Sequence, residues 1–251
     1  PIPQAEPDQR DDFGFGDPDA AALRIAGWSE GGFRALRSEA AKAAFDAIRP
    51  QLFAALGQGP DPDHALARFE TLLEKLPSAI NLFRLLEARP GLLQQLVDCL
   101  TLAAPLADEL ARRPELLDTL IDRTAFDLPG STEDLARMMR RTERGDEYEQ
   151  ALDRIRIVTS EQRFTLGVQL IEAAQDPLDV AEALSRVAEA AVQVACEAAQ
   201  EEFAERHGRF ADGELLVLGL GRLGGGALTH ASDLDMIYLF TDGETAESHG
   251  A

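Results

Sequence analysis

The chain has 251 residues, 45% of them apolar and 27% charged, and its formal net charge at pH 7 is −21. This length exceeds the roughly 100 to 200 residues of a usual domain, so we expect a helical part and a second part. The strong acidity would repel a phosphate backbone and argues against nucleic acid as a partner. No apolar run reaches the roughly 18 to 20 residues that cross a bilayer, and the start of the chain is polar, which argues against membrane insertion and favours the cytoplasm.

Only 6% of the residues are aromatic, and the chain is rich in Ala, Leu, Glu and Arg, which indicates a mostly α-helical protein. Cys99 and Cys196 each lie within an apolar helical stretch, so we interpret them as reduced core thiols. The chain begins at Pro1 rather than at a methionine and stops soon after a strand that has no visible partner. We therefore expect it to be a piece of a longer protein.

The first residues in chain order predict little regular structure. Residues 1–16 are rich in proline, glycine and aspartate and indicate a flexible lead-in. In the following region, 17–212, apolar residues recur at helical spacing. We predict an array of antiparallel helices there, including one that follows Asp63 and ends at Pro77.

A weak internal repeat lies within this helical region. The segment from Arg89 to Asp98 recurs as the segment from Arg113 to Asp122, and each begins with Arg-Pro. The proline suits the first turn of a helix, where its missing N–H costs nothing, while the arginine ends the helix before it. The longest helical pattern runs from Asp176 to Arg206, and Gly208 is a suitable stop.

The hydrophobic period changes after residue 212. A continuous apolar run, Leu215 to Leu220, and an alternating run, Asp233 to Phe240, predict two strands joined by a glycine-rich connection. Because strand residues two apart point to the same face, Asp233 and Asp235 are expected side by side, roughly 7 Å apart at the backbone. Magnesium commonly binds one or two carboxylates together with nucleotide phosphates, so this pair predicts a metal site.

The glycine-rich connection predicts a phosphate site next to those aspartates. Gly224 and Gly225 lack side chains, so their backbone N–H groups are expected to approach a phosphate at the start of a short helix. Arg222 would add a positive charge. Ser232 either donates to a phosphate oxygen, orients Asp233, or only forms a turn, and the sequence leaves these roles open.

Two other motifs are weighed against this interpretation. Gly219, Gly221 and Gly224 satisfy the G-x-G-x-x-G dinucleotide-binding pattern, but too few residues separate the strands for a crossover helix leading to a parallel strand. No Walker motif is present. Among the histidines, His64 and His207 are expected to be polar or capping residues at helix ends, whereas His230 is close enough to touch a nucleotide.

This block resembles the signature of the bacterial glutamine synthetase adenylyltransferase/adenylyl-removing enzymes, G-x-G-K-L-G-G-x-E-L followed by S-D-L-D-L-I. Here the two parts stand as Gly219 to Leu228 and Ser232 to Ile237, with Arg222 in place of the usual lysine and Ala227 where a glutamate is common. The first departure keeps the charge, and the second puts an acidic role at that position in doubt. The helical segments Arg89 to Asp98, Arg113 to Asp122 and Leu152 to Gly167 are similar to the same family.

The resemblance implies a polymerase-β-like nucleotidyltransferase domain that starts at 213–251 and is truncated there. Asp233 and Asp235 would hold Mg²⁺ and orient ATP for in-line attack on its α-phosphate by a tyrosine of glutamine synthetase. Such sites usually need a third carboxylate from a later strand, and Asp242, Glu244 and Glu247 are too close along the chain to be convincing. The resemblance therefore also predicts that this chain alone is catalytically weak or inactive.

Enzymes of that family have two related halves, one removing AMP from glutamine synthetase and one adding it. The helices here resemble the linker and start of the second half, so adenylylation is expected and AMP removal by phosphorolysis is the close alternative. Two further hypotheses stay open. The first is a helical docking or regulatory module that contacts glutamine synthetase or a P-II signalling protein, and the second is a uridylyltransferase of such signalling proteins.

Overall fold

The computed structural model describes residues 14–28, 32–121, 127–140, 148–209 and 213–241. Helices dominate the described residues, and a two-stranded sheet lies near the C-terminal end, which confirms a mostly α protein whose strands follow the helices. The predicted lead-in over 1–16 falls almost wholly outside the described residues. Among the described helices, none combines the length and the apolar character needed to cross a membrane.

The chain divides into two compact units, Pro1–Ile121 and Asp122–Ala251. The second unit contains helices as well as the sheet. The domain boundary predicted at residue 213 separates helices from strands along the chain, and it stays a prediction.

The first unit is built from short helices whose starts are capped by local side chains. Asp17, Ser38 and Asp61 each accept a hydrogen bond from the backbone N–H three residues later. Because Asp61 is the cap, the helix predicted to follow Asp63 begins slightly earlier, at Pro62. The helices are α1 (Pro18–Gly27), α2 (Glu39–Gly57), α3 (Pro62–Lys75), α4 (Ile80–Ala88), α5 (Pro90–Leu102), α6 (Ala104–Arg112) and α7 (Leu117–Ile121), with 3₁₀ turns at Arg34–Leu36 and Pro114–Leu116.

The two Arg-Pro sequences of the repeat end one helix and begin the next, as predicted. The backbone N–H of Arg89 donates to Leu85 at the end of α4, and Pro90 is the first residue of α5. Arg113 ends α6 in the same way. The copies then differ, because Pro114 opens a 3₁₀ turn before α7 rather than an α-helix.

Aromatic side chains form the centre of the first unit. The Trp28 ring is buried, and its centroid lies 5.6–5.8 Å from those of four phenylalanine rings. Its indole N–H donates to a carboxylate oxygen of Glu70 over 2.8 Å. The ring thereby buries apolar area while its polar atom keeps a partner.

The second unit consists of α8 (Thr132–Met139), α9 (Tyr148–Ile171), α10 (Pro177–His207), β1 (Leu215–Gly219), α11 (Gly221–Gly224) and β2 (Met236–Phe240). The predicted long helix is confirmed at both ends. The Asp176 carboxylate accepts from the N–H of Leu178 over 2.8 Å, and Gly208 takes a positive φ of 79° just after His207.

A single apolar core joins the helices of the second unit to the glycine-rich connection. Helix α10 packs against α8 and α9 through buried Leu, Val and Ala side chains. Leu223 and Leu228 belong to the same buried cluster, at 7% and 4% exposure. The segment that carries the candidate site is therefore held against the helices by its own apolar residues.

Strands β1 and β2 pair antiparallel, with Leu215 opposite Phe240 and Gly219 opposite Met236. This pairing confirms the rejection of the dinucleotide motif, which requires a crossover to a parallel strand. Most side chains of both strands are exposed. The assignment to a polymerase-β-like fold rests on the resemblance and stays a prediction.

Both cysteines are free, as predicted. Cys99 is buried in α5, whereas Cys196 on α10 is half-buried. Burial raises the pKa of the Cys196 thiol, and the neighbouring negative charge of Glu197 raises it further. The neutral, unreactive thiol form is thus favoured at this position.

Candidate functional site

The two aspartates precede strand β2 rather than lying within it. The sequence predicted a strand from Asp233 onward, but regular pairing begins at Met236 because its partner β1 ends at Gly219. One further bond extends the ladder, since the N–H of Leu220 donates to the carbonyl of Asp235 over 2.8 Å. The predicted strand start at Asp233 is therefore wrong, whereas the side-by-side placement of the two carboxylates stays a prediction.

The Asp235 carboxylate lies against the glycine turn. Gly221 begins α11 with a positive φ of 53°, and a Cβ at that position would stand 2.7 Å from Oδ2 of Asp235. Glycine suits this position because other residues rarely adopt its positive φ, and an added side chain would also displace the nearby carboxylate. The turn and one of the two predicted metal ligands are thus in direct contact.

Gly224 and Gly225 stand at the end of the short helix, not at its start as predicted. The N–H of Gly224 donates to Leu220 over 2.9 Å, and that of Gly225 donates to Gly221 over 3.1 Å. Both amides are used within the turn. Gly224 is required for a different reason, because a Cβ there would collide with the carbonyl oxygen of Gly219. A phosphate-binding role for the two glycines stays a prediction.

Arg222 and Ser232 come together through Thr229, a residue that the motif analysis missed. Ser232 Oγ accepts from the N–H of Thr229 over 3.0 Å and lies 2.8 Å from its hydroxyl, which closes the turn before the aspartates. The Arg222 guanidinium donates to the same Thr229 hydroxyl over 3.4 Å. Ser232 therefore takes the turn role that the sequence left open, and a cation and two hydroxyls gather on this side of the connection.

The carboxylates of Asp233 and Asp235 are free to meet a cation from solvent. Both residues are exposed, and neither forms an ion pair among the described residues. Within the same part of the chain no cluster of three or more His, Cys, Asp or Glu residues is arranged to hold a metal. A donor set of two carboxylates suits Mg²⁺, which completes its octahedron with phosphate oxygens and water. The predicted third carboxylate candidates, Asp242, Glu244 and Glu247, lie outside the described residues.

His230 lies between the glycines and the aspartates, with its ring half-buried. Burial lowers the pKa of His230, and the positive charge of Arg163 lowers it further. The neutral imidazole is therefore favoured near neutral pH. Its backbone carbonyl accepts a hydrogen bond from Arg163 Nη2 over 2.7 Å, which ties the connection to α9.

The connection is also tied to α10. The N–H of Leu228 donates to Ser185 Oγ over 3.1 Å, and both residues are buried. Neither Ser185 nor Arg163 was singled out from the sequence. The only local signal is a serine on the apolar face of a long helix, which needs a partner when it is buried.

A groove of about 530 Å³ separates α10 from the hairpin. Glu189, Gln193 and Glu197 line it from the helix, while Val217 and Met236 line it from the strands. The two acids are engaged, since Glu189 accepts from Thr132 and Glu197 pairs with Arg140. The Arg140 pair and a hydrogen bond from Gln193 lower the pKa of the Glu197 carboxyl, although burial opposes them.

Comparison with known families places this chain in one family of proteins. Residues 93–251 match the family model described as glutamate-ammonia ligase adenylyltransferase. This match covers more than half of the chain and includes the whole candidate site. The chain belongs to the glutamate-ammonia ligase adenylyltransferase family, which confirms the resemblance of its glycine and aspartate motifs.

The similar curated proteins are named bifunctional glutamine synthetase adenylyltransferase/adenylyl-removing enzyme. That of Mesorhizobium japonicum is 37% identical over 240 residues, and that of Rhizobium meliloti is 36% identical over 241 residues. Each alignment covers 95% of this chain but 24% of the relative. The protein of Xanthobacter autotrophicus is 37% identical over 229 residues, which cover 91% of this chain and 23% of the relative. The chain thus spans about a quarter of the length of these relatives.

Proposed function

We propose that this chain carries the nucleotide-binding part of a magnesium-dependent adenylyltransferase that transfers AMP from ATP to a tyrosine of glutamine synthetase. The observation that carries the proposal is the contact between the Asp235 carboxylate and Gly221. It brings one of the two aspartates of the family motif next to the glycine turn. The names of the relatives support glutamine synthetase as the target.

Each site residue has a role in this proposal. Asp233 and Asp235 would hold Mg²⁺, which supplies charge neutralisation at the phosphate oxygens when it is bound. Arg222 would add a positive charge on the phosphate side, next to the hydroxyls of Thr229 and Ser232. Gly221 and Gly224 keep the backbone of the turn tight, and Gly225 closes it.

The reaction is an in-line displacement at the α-phosphorus. The tyrosine oxygen forms a bond to that phosphorus while the bond to the bridging oxygen breaks, and pyrophosphate leaves. The phenolic proton passes to water or to a third carboxylate on a later strand. The residues of this chain contribute positioning and charge, which account for most of phosphoryl-transfer catalysis.

Calorimetric titration with ATP and Mg²⁺ tests the nucleotide site. We expect binding that requires Mg²⁺ and is lost when Asp233→Asn and Asp235→Asn are combined. The matched control combines Asp153→Asn with Glu201→Gln, which removes two exposed carboxylates from α9 and α10. Equal loss of binding in the control would show a general charge effect and contradict the proposal.

The titration is repeated on a protein of the relatives' length that contains this segment, because the chain spans about a quarter of them. That protein also allows transfer to be followed by the mass of glutamine synthetase and by released pyrophosphate. Binding of glutamine synthetase that is unaffected by the two aspartate substitutions, with no nucleotide binding in either protein, would favour a docking module instead.

The opposite reaction, removal of AMP by phosphate, is the second candidate. The relatives' names include both activities, which is the observation that favours it. Incubating adenylylated glutamine synthetase with phosphate and Mg²⁺ separates the two, because phosphorolysis releases ADP whereas transfer consumes ATP.

A further inference from the structure

The glycine-rich connection is held by two hydrogen bonds from helices that carry none of the predicted site residues. Ser185 on α10 accepts from the N–H of Leu228, and Arg163 on α9 donates to the carbonyl of His230. The anchored positions stand two residues apart. They lie directly between the glycine turn, which ends at Gly226, and Ser232 with its two following aspartates.

Ser185 is placed where an apolar residue would serve the helix equally well. It is 2% exposed and lies among the buried Val, Leu and Ala residues of α10. Its hydroxyl donates to the carbonyl of Ala181 over 3.0 Å, so its oxygen remains able to accept from Leu228. The Leu228 N–H is buried as well, and without this acceptor it would lose its hydrogen bond with no water to replace it.

Arg163 supplies the second anchor. Its guanidinium reaches the His230 carbonyl over 2.7 Å from a half-buried position on α9. A charged donor makes a stronger hydrogen bond than a neutral one. The bond restrains the backbone three residues before Asp233.

We propose that Ser185 and Arg163 are positioning residues, which fix residues 228–230 and thereby hold the aspartates in register with the glycine turn for binding of Mg²⁺ and ATP. This inference rests on the proposed function. It assigns to α9 and α10 a direct part in nucleotide affinity, beyond packing. Two fixed points on one short segment restrict the path of the chain on both sides.

Amide hydrogen exchange of the nucleotide-free chain measures the anchoring itself. Ser185→Ala leaves the Leu228 N–H without an acceptor, and the lost bond corresponds to roughly a five- to hundredfold faster exchange of residues 224–232. Thr101→Val is the matched control. Thr101 is a buried hydroxyl that donates to the carbonyl four residues earlier, as Ser185 does, but it lies on α5 in the first unit.

Titration with ATP and Mg²⁺, well below the melting temperature, measures the consequence. We expect Ser185→Ala and Arg163→Met each to raise the dissociation constant of ATP by up to roughly a hundredfold. Arg163→Lys should bind more tightly than Arg163→Met, because the lysine keeps a charged donor. Thr101→Val should leave the affinity unchanged. Unchanged exchange, or unchanged affinity in both variants, would overturn the inference while leaving the proposed function in place. If the unaltered chain and the longer protein bind no nucleotide, the proposed function fails first and the inference falls with it.

Discussion

At the scale of single residues, three consecutive glycines of the turn meet different surroundings. A Cβ at Gly224 would collide with the Gly219 carbonyl, whereas one at Gly225 would lie 3.4 Å from the Gly221 carbonyl oxygen, an ordinary contact. Gly226 has open space around it but a positive φ of 65°. Glycine is therefore favoured at Gly224 for a steric reason and at Gly226 for a conformational one.

Alanine at the first two of these positions tests the steric reason. We expect Gly224→Ala to lower the free energy of unfolding of the second unit by about 1–3 kcal/mol, because the turn must open to admit the methyl group. Gly225→Ala should be nearly neutral, since its φ of −87° suits alanine. Urea unfolding checks both, and equal destabilisation by the two substitutions would contradict the steric argument.

His230 predicts a pH dependence of stability. Because burial and the charge of Arg163 lower its pKa below the ordinary value of 6.5, the unfolded chain binds the proton more readily than the folded chain. The stability that neutral His230 contributes is full above about pH 6.5 and is lost as the pH falls through the folded-state pKa. The imidazole is partly exposed, so the effect is screened by solvent.

The free energy of unfolding of His230→Phe, measured between about pH 7 and pH 5, tests the direction of this pH dependence. The variant should lose less stability over this range than the unaltered chain. The carboxyl groups with lowered pKa, such as Glu197, gain their protons below this pH range, so they do not contribute to the change in stability measured within it. A His230 titration midpoint above 6.5 by NMR would refute the argument.

At the scale of elements, α10 organises the second unit. It is capped by Asp176 and Gly208, it packs against α8 and α9, and it anchors the connection through Ser185. Arg140, which ends α8, makes a two-point contact with the Glu197 carboxylate at 2.7 and 2.8 Å. This geometry joins the end of α8 to the interior of α10, two elements that are distant in sequence.

A double-mutant cycle of Arg140→Met and Glu197→Gln should give a coupling of about 0.5–1 kcal/mol. The side chain of Glu197 is 43% exposed, so solvent screens the pair and the larger values of buried pairs do not apply. The coupling should vanish as the pH falls through the folded-state pKa of Glu197, which the pair lowers. The exposed pair Arg137 and Asp134 serves as control and should couple more weakly.

At the scale of the whole molecule, the two units have separate centres. Phe69 is fully buried in the first unit beside Trp28, and Leu166 is fully buried in the core of the second. The candidate site belongs entirely to the second unit. A cavity in the core of the first unit is therefore expected to lower stability without changing nucleotide binding, whereas a cavity in the core of the second unit should lower both.

Phe69→Ala and Leu166→Ala test this division. We expect the first to cost about 3–5 kcal/mol and the second about 2–5 kcal/mol, because each leaves a cavity in a close-packed core. Amide exchange should rise in the substituted unit, and only Leu166→Ala should weaken nucleotide binding. Equal exchange changes in both units after Phe69→Ala would show that they unfold as one.

Most elements of the fold followed from local features of the sequence. Prolines at helix starts, Asp176 at a cap and Gly208 at a stop act within one turn of the chain, so their effects are readable without a structure. The same holds for the antiparallel hairpin, because a short connection cannot cross over. The family motifs were visible for a related reason, since they are contiguous along the chain.

Only the tertiary structure decided how the site is assembled. The start of β2 after Asp235 depends on where β1 ends, and the anchors bring together residues 43 and 67 positions apart. The amides of Gly224 and Gly225 are consumed by the turn, which no spacing rule predicts. Local propensities limit each residue to a few conformations, but the choice among them here comes from contacts between distant segments, which are cooperative and leave no periodic signal in the sequence.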